Sequence, residues 1–374
     1  MKKKILLTGM GDRLGGIESF ATVVVEGLMG KYEFSLLAAT EKKIAKQDYF
    51  EKKGITVFHL KNIFGLKNAI SRKKIFSDFL KEHDFDIIHI NATTMNAVYM
   101  AEAASKLNID IIYQIHNTAP SGYSVLARLL TKTLRNYYRF KIKRLKNVKC
   151  IAVSAEAAAA TFGKNIPVRI VVNGVDTNKY CFSNKIRETM RAKYNISKSA
   201  RVGIIVARLM PIKNHSKVLS VVNLGLQNKI FDYFMIVGDG PEKESIQNKI
   251  DRMRVDIKNK IFLCGERNDI SNFLMMSDFM LLPSFTEGLS ISVIEAQAAG
   301  VIPIVSNGIP TVTNITGNVI FLDVKASDCH WVEIIEKVLS TTTYDKIKMN
   351  QIVDDSEFSS RSFLKSISEL YGVQ

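Results

Sequence analysis

Cysteine, proline and tryptophan are scarce in this 374-residue chain, with four, seven and one copies. The cysteines, Cys150, Cys181, Cys264 and Cys329, stand far apart, with no C-x-x-C pair and no histidine cluster nearby. That argues against a disulfide framework or a zinc site and points to a reducing cytoplasm. Few prolines, together with only 21 glycines, exclude a collagen-like or disordered chain. Long apolar runs are missing too: no stretch approaches the roughly 18–20 residues of a spanning helix. The opening Met1-Lys2-Lys3-Lys4, followed by Ile5-Leu6-Leu7, imitates a signal peptide. The apolar part stops at Thr8-Gly9, short of the roughly 7–15 residues an h-region needs. A first β-strand is the better reading.

Acidic residues are short in one half only. Residues 1–180 hold 29 Lys and Arg against 15 Asp and Glu, while the remainder holds 23 against 21. Nearly all of the net charge of +16 therefore sits in the first half. Such asymmetry implies an anionic partner for that half: a membrane surface, nucleic acid or a phosphorylated acceptor. No recognisable RNA- or DNA-binding module accompanies it, which sets nucleic acid aside.

Short runs of Ile, Val and Leu alternate with amphipathic stretches. The first half reads as strands at Lys4–Thr8, Glu33–Ala38, Thr56–His59, Ile87–Ile90, Ile111–Ile115 and Cys150–Val153. Helices are expected at Ile17–Met29, Arg72–His83, Ala97–Leu107 and Ser124–Asn147. From Asn173 to Ala200 the chain is polar and strand-poor, and the alternation restarts at Arg201–Ala207 and runs to Ile302–Ser306. The pattern predicts an α/β protein of two Rossmann-like, doubly wound parallel sheets. The expected division is 1–180 for a domain facing the acceptor and membrane, 181–355 for a nucleotide-binding domain, and 356–374 for a tail packing back toward the first. In the tail Phe363, Leu364, Ile367, Leu370 and Tyr371 share one helical face. Ligands of open α/β sheets bind beyond the carboxyl ends of the strands, so tandem domains imply a cleft there and direct attention to the loops after each strand.

Gly9-Met10-Gly11-Asp12-Arg13-Leu14-Gly15-Gly16 follows the first strand and opens the first helix. Glycines let backbone approach a phosphate, and a helix N-terminus supplies N–H donors. The spacing is not the dinucleotide G-x-G-x-x-G. After the first strand of the second half come Arg208 and Lys213, two cations able to clamp a diphosphate. Gly238-Asp239-Gly240 forms another glycine turn. The segment Pro283–Gly300 carries Glu287 in a strand-to-helix loop and Glu295 in the helix behind it. On one continuous helix this spacing would leave about 80° between the side chains. Carboxylates suit sugar and ribose hydroxyls, and the amides of Gly288, Leu289 and Ser290 head a helix that could hold a phosphate.

Taken in order, these pieces resemble the GT-B glycosyltransferases of family 4 over nearly the whole chain. They are Gly15-Gly16-Ile17-Glu18, Asp86-Ile87-Ile88-His89, His116, Val153-Ser154, Asn173-Gly174-Val175-Asp176, Ala207-Arg208-Leu209 with Lys213-Asn214-His215, Val237–Pro241, and Glu287-Gly288-Leu289 with Ile294-Glu295-Ala296. The Lys-Asn-His and Glu-Ala-Gln variants resemble the branch that builds bacterial capsules and exopolysaccharides.

The resemblance implies that Gly15 and Gly16 lie near the donor phosphate, that Arg208 and Lys213 bind the diphosphate and stabilise the leaving nucleotide, and that Gly238 approaches the nucleotide. It implies that Glu287 contacts donor-sugar hydroxyls with Gly288, Leu289 and Ser290 beside it, that Glu295 contacts the ribose, that Arg267 lies beside the base, and that His116 sits near the sugar. It further implies transfer with retention from a nucleotide-sugar donor, a UDP-sugar first, to a polyprenyl-diphosphate-linked glycan at the inner face of the cytoplasmic membrane. No cofactor and no metal is implied. Two departures bear on donor sugar choice: Thr311 follows Ile309-Pro310 where an acidic residue is common, and Leu289-Ser290 replaces Phe-Gly.

Asp84-Phe85-Asp86 has the form of a metal-binding D-x-D, but it precedes a strand and Asp86 occupies a strand-start position of the family. His89 is a weaker candidate than His116. In Ser124–Asn147, Leu126, Leu130, Leu134, Tyr138 and Ile142 recur every four residues, and Arg128, Lys132, Arg135, Arg139, Lys143 and Lys146 line another face. That amphipathic, basic helix fits an anionic membrane surface. The rival functions are a non-catalytic partner subunit with the same fold, an NAD-dependent oxidoreductase and a sugar-nucleotide epimerase. The oxidoreductase lacks its glycine fingerprint, and the epimerase lacks identifiable acids and bases.

Overall fold

The computed structural model describes residues 2–372 apart from 14, 62, 64–70, 117–124 and 341–343, and the side chains of 125–131 also lie outside the described residues. The chain forms two compact units, Met1–Asn173 with Phe363–Gln374, and Gly174–Ser362.

The first unit holds β1 (Lys4–Met10), β2 (Glu33–Ala38), β3 (Thr56–Phe58), β4 (Ile87–Ala92), β5 (Asp110–Ile115), β6 (Val148–Ala152) and β7 (Val168–Ile170), ordered β3-β2-β1-β4-β5-β6-β7. Neighbouring strands pair in parallel. Every residue of β4 is buried, as expected of a strand covered on both faces. Alternate residues of β1 enter opposite layers. Leu6 joins Phe76, Phe79 and Tyr113, whereas Ile5 and Leu7 join Phe20, Val24 and Phe363. The second layer includes Phe363, Ile367, Leu370 and Tyr371, so the tail from Phe363 onward is part of this unit's core. A Cβ on Gly27 would meet Leu364 at 2.3 Å, which is how closely that helix is seated.

The second unit holds β8 (Val202–Val206), β9 (Tyr233–Val237), β10 (Ile261–Gly265), β11 (Phe279–Leu282), β12 (Ile302–Ser306) and β13 (Ile320–Leu322), ordered β10-β9-β8-β11-β12-β13 and parallel throughout. β8, β11 and β12 are buried at every residue. In each unit the strand order reverses beside the first strand, between β1 and β4 and between β8 and β11. Loops leaving those strands flank a crevice at the switch point, the usual ligand position in such sheets.

Several details differ from the sequence reading. The units divide at 173/174 rather than at 180/181, because Val175 bridges Ser359 and helix Thr177–Tyr180 packs on the second unit's helices. The polar stretch before Ala200 holds helices Thr177–Tyr180 and Asn184–Lys193. Its two arginines are anchored: Arg191 is buried and pairs with Asp278, together with Arg187. The long basic helix runs Val125–Lys143. β7 and β13 are three-residue edge strands, too short to announce themselves by alternation.

Candidate active site

In the second unit, the loop after β8 presents Arg208 and Lys213. Arg208 is exposed and has no ion-pair partner among the described residues. Lys213 closes a short turn, Pro211–Lys213, and Asn214 follows with a positive φ of 55° that starts helix His215–Gln227. The Lys213 ammonium pairs with Oε1 of Glu287, and the Ser284 hydroxyl donates to the same oxygen at 2.7 Å. Both charged side chains are largely buried, 20% and 11% exposed, so the pair is poorly screened.

Backbone contacts fix this cluster. Phe285 N donates to Ile212 O at 2.9 Å, and Glu287 N to Gly308 O at 3.0 Å. The loop after β11 is thus laced between the loops after β8 and β12. A Cβ at Gly308 would stand 2.4 Å from Phe285 O, so only glycine permits that approach. Beyond it, Ser290 stands at the N-cap of helix Ile291–Ala298, and its side chain accepts from none of the helix's first amides. Gly288 and Leu289 are half-buried alongside. An uncapped helix start has amides and positive dipole available for an anion. Cation, carboxylate and helix end together can hold a diphosphate and a polyhydroxylated group.

Glu295 lies one turn further along that helix. The Tyr180 hydroxyl donates to its Oε1 at 2.7 Å. Burial pushes the Glu295 carboxyl up to about 7, opposed by the tyrosine hydrogen bond and by Lys179. Gly238 has φ 142°, and a Cβ there would sit 1.9 Å from Ala207 O. Its glycine is required by the close approach of the turns after β8 and β9. Arg267 forks onto Asp269, with Nε–Oδ1 at 2.8 Å and Nη2–Oδ2 at 2.9 Å, and lies over the Phe273 ring. Its charge is already compensated, which leaves the guanidinium plane rather than a free cation to face a ligand.

In the first unit, Gly15 caps helix Gly16–Leu28 in extended conformation with no side-chain bond. A Cβ on Gly16 would meet nothing within 4 Å. The loop is held by Glu18, whose buried carboxylate accepts from Gly11 N at 2.7 Å. Leu14 lies outside the described residues. His116, just past β5, has Nε2 2.8 Å from Asn91 Oδ1 and its ring edge against Phe20. Burial, with His89 nearby, pushes the imidazole down to about 3. With Nε2 donating to Asn91, Nδ1 carries a lone pair and has no partner among the described residues. His116 is thus a neutral hydrogen-bonding group at pH 7, not a cation. His89 is fully buried between Gln114 at 2.8 Å and the Tyr371 hydroxyl at 2.9 Å, which makes it part of the core.

The Asp84 side chain is fully exposed, and the Asp86 carboxylate accepts from Lys4 N at 2.7 Å, tying β4 to β1. Among the described residues no group of three or more His, Cys, Asp or Glu side chains could hold a metal ion.

The basic helix carries two kinds of cation. Arg135 and Arg139 point inward and donate to Ala160 O and Thr161 O, the last carbonyls of helix Ala155–Phe162. They are structural caps rather than part of an open face. Lys132 and Lys143 are exposed. So are Leu134, Tyr137 and Phe140, with the Arg144 guanidinium over the Phe140 ring at 3.8 Å. The Arg128 side chain lies outside the described residues. No helix among them is long and apolar enough to cross a membrane.

Residues 14–179 match the family described as Glycosyltransferase Family 4, and residues 186–352 match Glycosyl transferases group 1. The chain belongs to the family 4 glycosyltransferases. An Escherichia coli relative, named UDP-Gal:alpha-D-GlcNAc-diphosphoundecaprenol alpha-1,3-galactosyltransferase, is 25% identical over 65% of this glycosyltransferase and 62% of the relative. N-acetyl-alpha-D-glucosaminyl L-malate synthase of Bacillus anthracis is 25% identical over 60% of the chain and 57% of that enzyme. The match thus spans about three fifths of these two relatives' length. Among solved structures, a glycosyltransferase from Rickettsia africae superposes with TM-score 0.80 at 18% identity, covering 99% and 98% of the two chains. Anabaena HepE in complex with UDP and glucose gives 0.77 at 18%, covering 99% and 100%. The family's GT-B architecture agrees with the two parallel sheets seen here.

Sequence reasoning missed Tyr180, Ser284 and Asn91. Nothing in a linear pattern pairs Tyr180 with a carboxylate 115 positions away. Ser284, three residues before Glu287, was within reach of local inspection.

Proposed function

We propose that this glycosyltransferase moves a sugar, with retention of configuration, from a UDP-sugar to a polyprenyl-diphosphate-linked saccharide in bacterial surface-glycan synthesis, working at the inner membrane face without a metal. The observation that carries the reading is the Lys213–Glu287–Ser284 cluster beside an uncapped helix start. A diphosphate arriving there competes for Lys213 and releases Glu287 from its ion pair. Glu287 can then accept hydrogen bonds from donor-sugar hydroxyls, so phosphate and sugar recognition are coupled.

As the glycosidic bond breaks, negative charge grows on the departing diphosphate. Arg208, Lys213 and the amides heading helix Ile291–Ala298 stabilise it without reorganising. Glu295 takes the ribose hydroxyls. His116, being neutral, contributes hydrogen bonding and not proton transfer. The nucleotide is supported by the printed name of the E. coli relative and by the UDP complex of Anabaena HepE. The lipid-linked acceptor is supported by the first of these names and by the exposed Lys132, Lys143 and Arg144 set among Leu134, Tyr137 and Phe140. Basic residues contribute roughly 1 kcal/mol each at an anionic surface.

The test is transfer from a panel of nucleotide sugars to a synthetic polyprenyl-diphosphate saccharide, with product anomericity read by NMR. One UDP-sugar should be consumed with retention. Transfer with inversion, or none from any nucleotide sugar, contradicts the proposal.

A further inference from the structure

Glu295 is held by a hydroxyl. Tyr180 is buried, 5% exposed, and its Oη lies 2.7 Å from Glu295 Oε1. The short helix Thr177–Tyr180 that carries it is fastened at its start. Thr177 Oγ1 donates to Asp354 Oδ1 at 2.5 Å, and Asn350 Nδ2 donates to both Thr177 O at 2.9 Å and Ala298 O at 2.8 Å. Asn350 therefore bolts the Tyr180 helix to the end of the Glu295 helix. The hydroxyl is presented from a fixed frame, and a carboxylate held by one oxygen loses its freedom to rotate.

We propose that Tyr180 is a positioning residue for the nucleotide: it holds one oxygen of Glu295 so that the other faces the ribose hydroxyls of the donor. The proposal rests on the reading of Glu295 as a donor contact. Tyr180 touches no substrate itself. It acts by pre-organising an acceptor whose misplacement would weaken binding rather than slow the chemistry. It also favours the ionised form of Glu295 against the burial that opposes it, because a hydrogen bond to the charged form stabilises that form.

The charged and titratable groups facing Glu295 are Tyr180 and Lys179, with Asp176 beside Tyr180. Helix Ile270–Met276 and β12, which pack on the Glu295 helix, carry no titratable side chain. On helix Lys346–Asp354, Lys346 faces Arg187, Arg191 and Asp278, Asp354 bonds Thr177 and Arg361, and Lys348 is exposed. Removing the tyrosine hydroxyl therefore leaves burial opposed by Lys179 alone, and the carboxyl titrates at higher pH.

The experiment is calorimetric titration of UDP into the full chain from about pH 5.5 to 8.5, where a carboxyl raised by burial changes charge. Wild type, Tyr180→Phe, Glu295→Gln and the double variant are compared. Tyr180→Phe keeps the ring and its packing, so it should stay folded, with one cooperative melting transition lowered by the lost hydrogen bond to a buried carboxylate. It should weaken UDP about three- to tenfold near neutral pH and move the midpoint of the affinity–pH curve upward. In transfer assays the donor KM should rise with kcat little changed. The double variant should bind no worse than Glu295→Gln, because the tyrosine acts only through that carboxylate. Unchanged affinity and midpoint in Tyr180→Phe overturn the proposal while leaving the Glu295 reading intact. So does an equal further loss in the Glu295→Gln background. If Glu295→Gln binds UDP like wild type, the donor-contact reading fails and the proposal falls with it.

Discussion

At the switch point of the first unit, β1 and β4 meet through glycine, backbone, an inward-turned carboxylate and a neutral imidazole. Gly9 has φ 94° with Asn91 O where its Cβ would be, Glu18 is turned inward onto Gly11, and His116 is neutral against Asn91. At the corresponding place in the second unit, the loops after β8 and β11 bring Lys213, Glu287 and Ser284 together beside a helix start, and Arg208 stands exposed on the loop after β8. One architecture thus serves two tasks. The first unit offers an open backbone at Gly16. The second, nearly neutral in total, concentrates opposed charges where a diphosphate leaving group would need them. In the proposed function, net charge serves the first unit's acceptor side and local pairing serves the second unit's donor chemistry.

The sharpest way to break this comparison is to remove the second unit's cations. Arg208→Ala and Lys213→Ala should each lower kcat/KM for transfer by about 100-fold or more, since fixed donors aimed at developing charge contribute on that scale. A loss well under tenfold would remove them from the clamp.

Charge reversal on the first unit should act elsewhere. Lys132→Glu, Lys143→Glu and Arg144→Glu combined should reduce binding to anionic vesicles by at least about a hundredfold, since each basic residue removed costs roughly 1 kcal/mol and reversal adds repulsion. UDP affinity should stay at the wild-type value. Vesicle binding that survives the triple variant would take the membrane contact away from this face.

Arg139→Ala belongs to the same helix but should behave differently. It loses the carbonyls of Ala160 and Thr161, so it should cost about 1 kcal/mol of stability, read by denaturant melting, with little change in vesicle binding.

The smallest effect concerns His116. Its imidazole stays neutral down to about pH 3, so the kcat/KM profiles of wild type and His116→Gln should run parallel between about pH 5 and 8, where an unperturbed histidine would titrate. A limb present only in the wild type would show that His116 carries a proton in the reaction.

The sheets were legible in the sequence because strands such as Val202–Val206 and Phe279–Leu282 are unbroken apolar runs, buried on both faces. The loops that follow were legible for the same reason: chemistry in these folds gathers at strand ends. What stayed hidden depends on partners distant in the chain. Periodicity places Arg135 and Arg139 on a cationic face, yet it cannot say that a neighbouring helix ends beneath them with open carbonyls. It places Leu134 and Tyr137 on the apolar side, yet both are about half exposed, 45% and 51%. The resemblance sets Arg267 beside the base, yet it cannot show Asp269 in the guanidinium's fork. Tyr180 sits in a polar stretch that reads as a linker, and its importance comes from Glu295, brought to it only by folding.

The most direct test of the central claim is UDP binding to the full chain by calorimetry, wild type against the Arg208→Ala/Lys213→Ala double variant. The account predicts saturable binding to the wild type and an affinity at least about a hundredfold weaker in the variant, a loss of about 2.7 kcal/mol. Equal affinity in both proteins, or no binding to either, would contradict it.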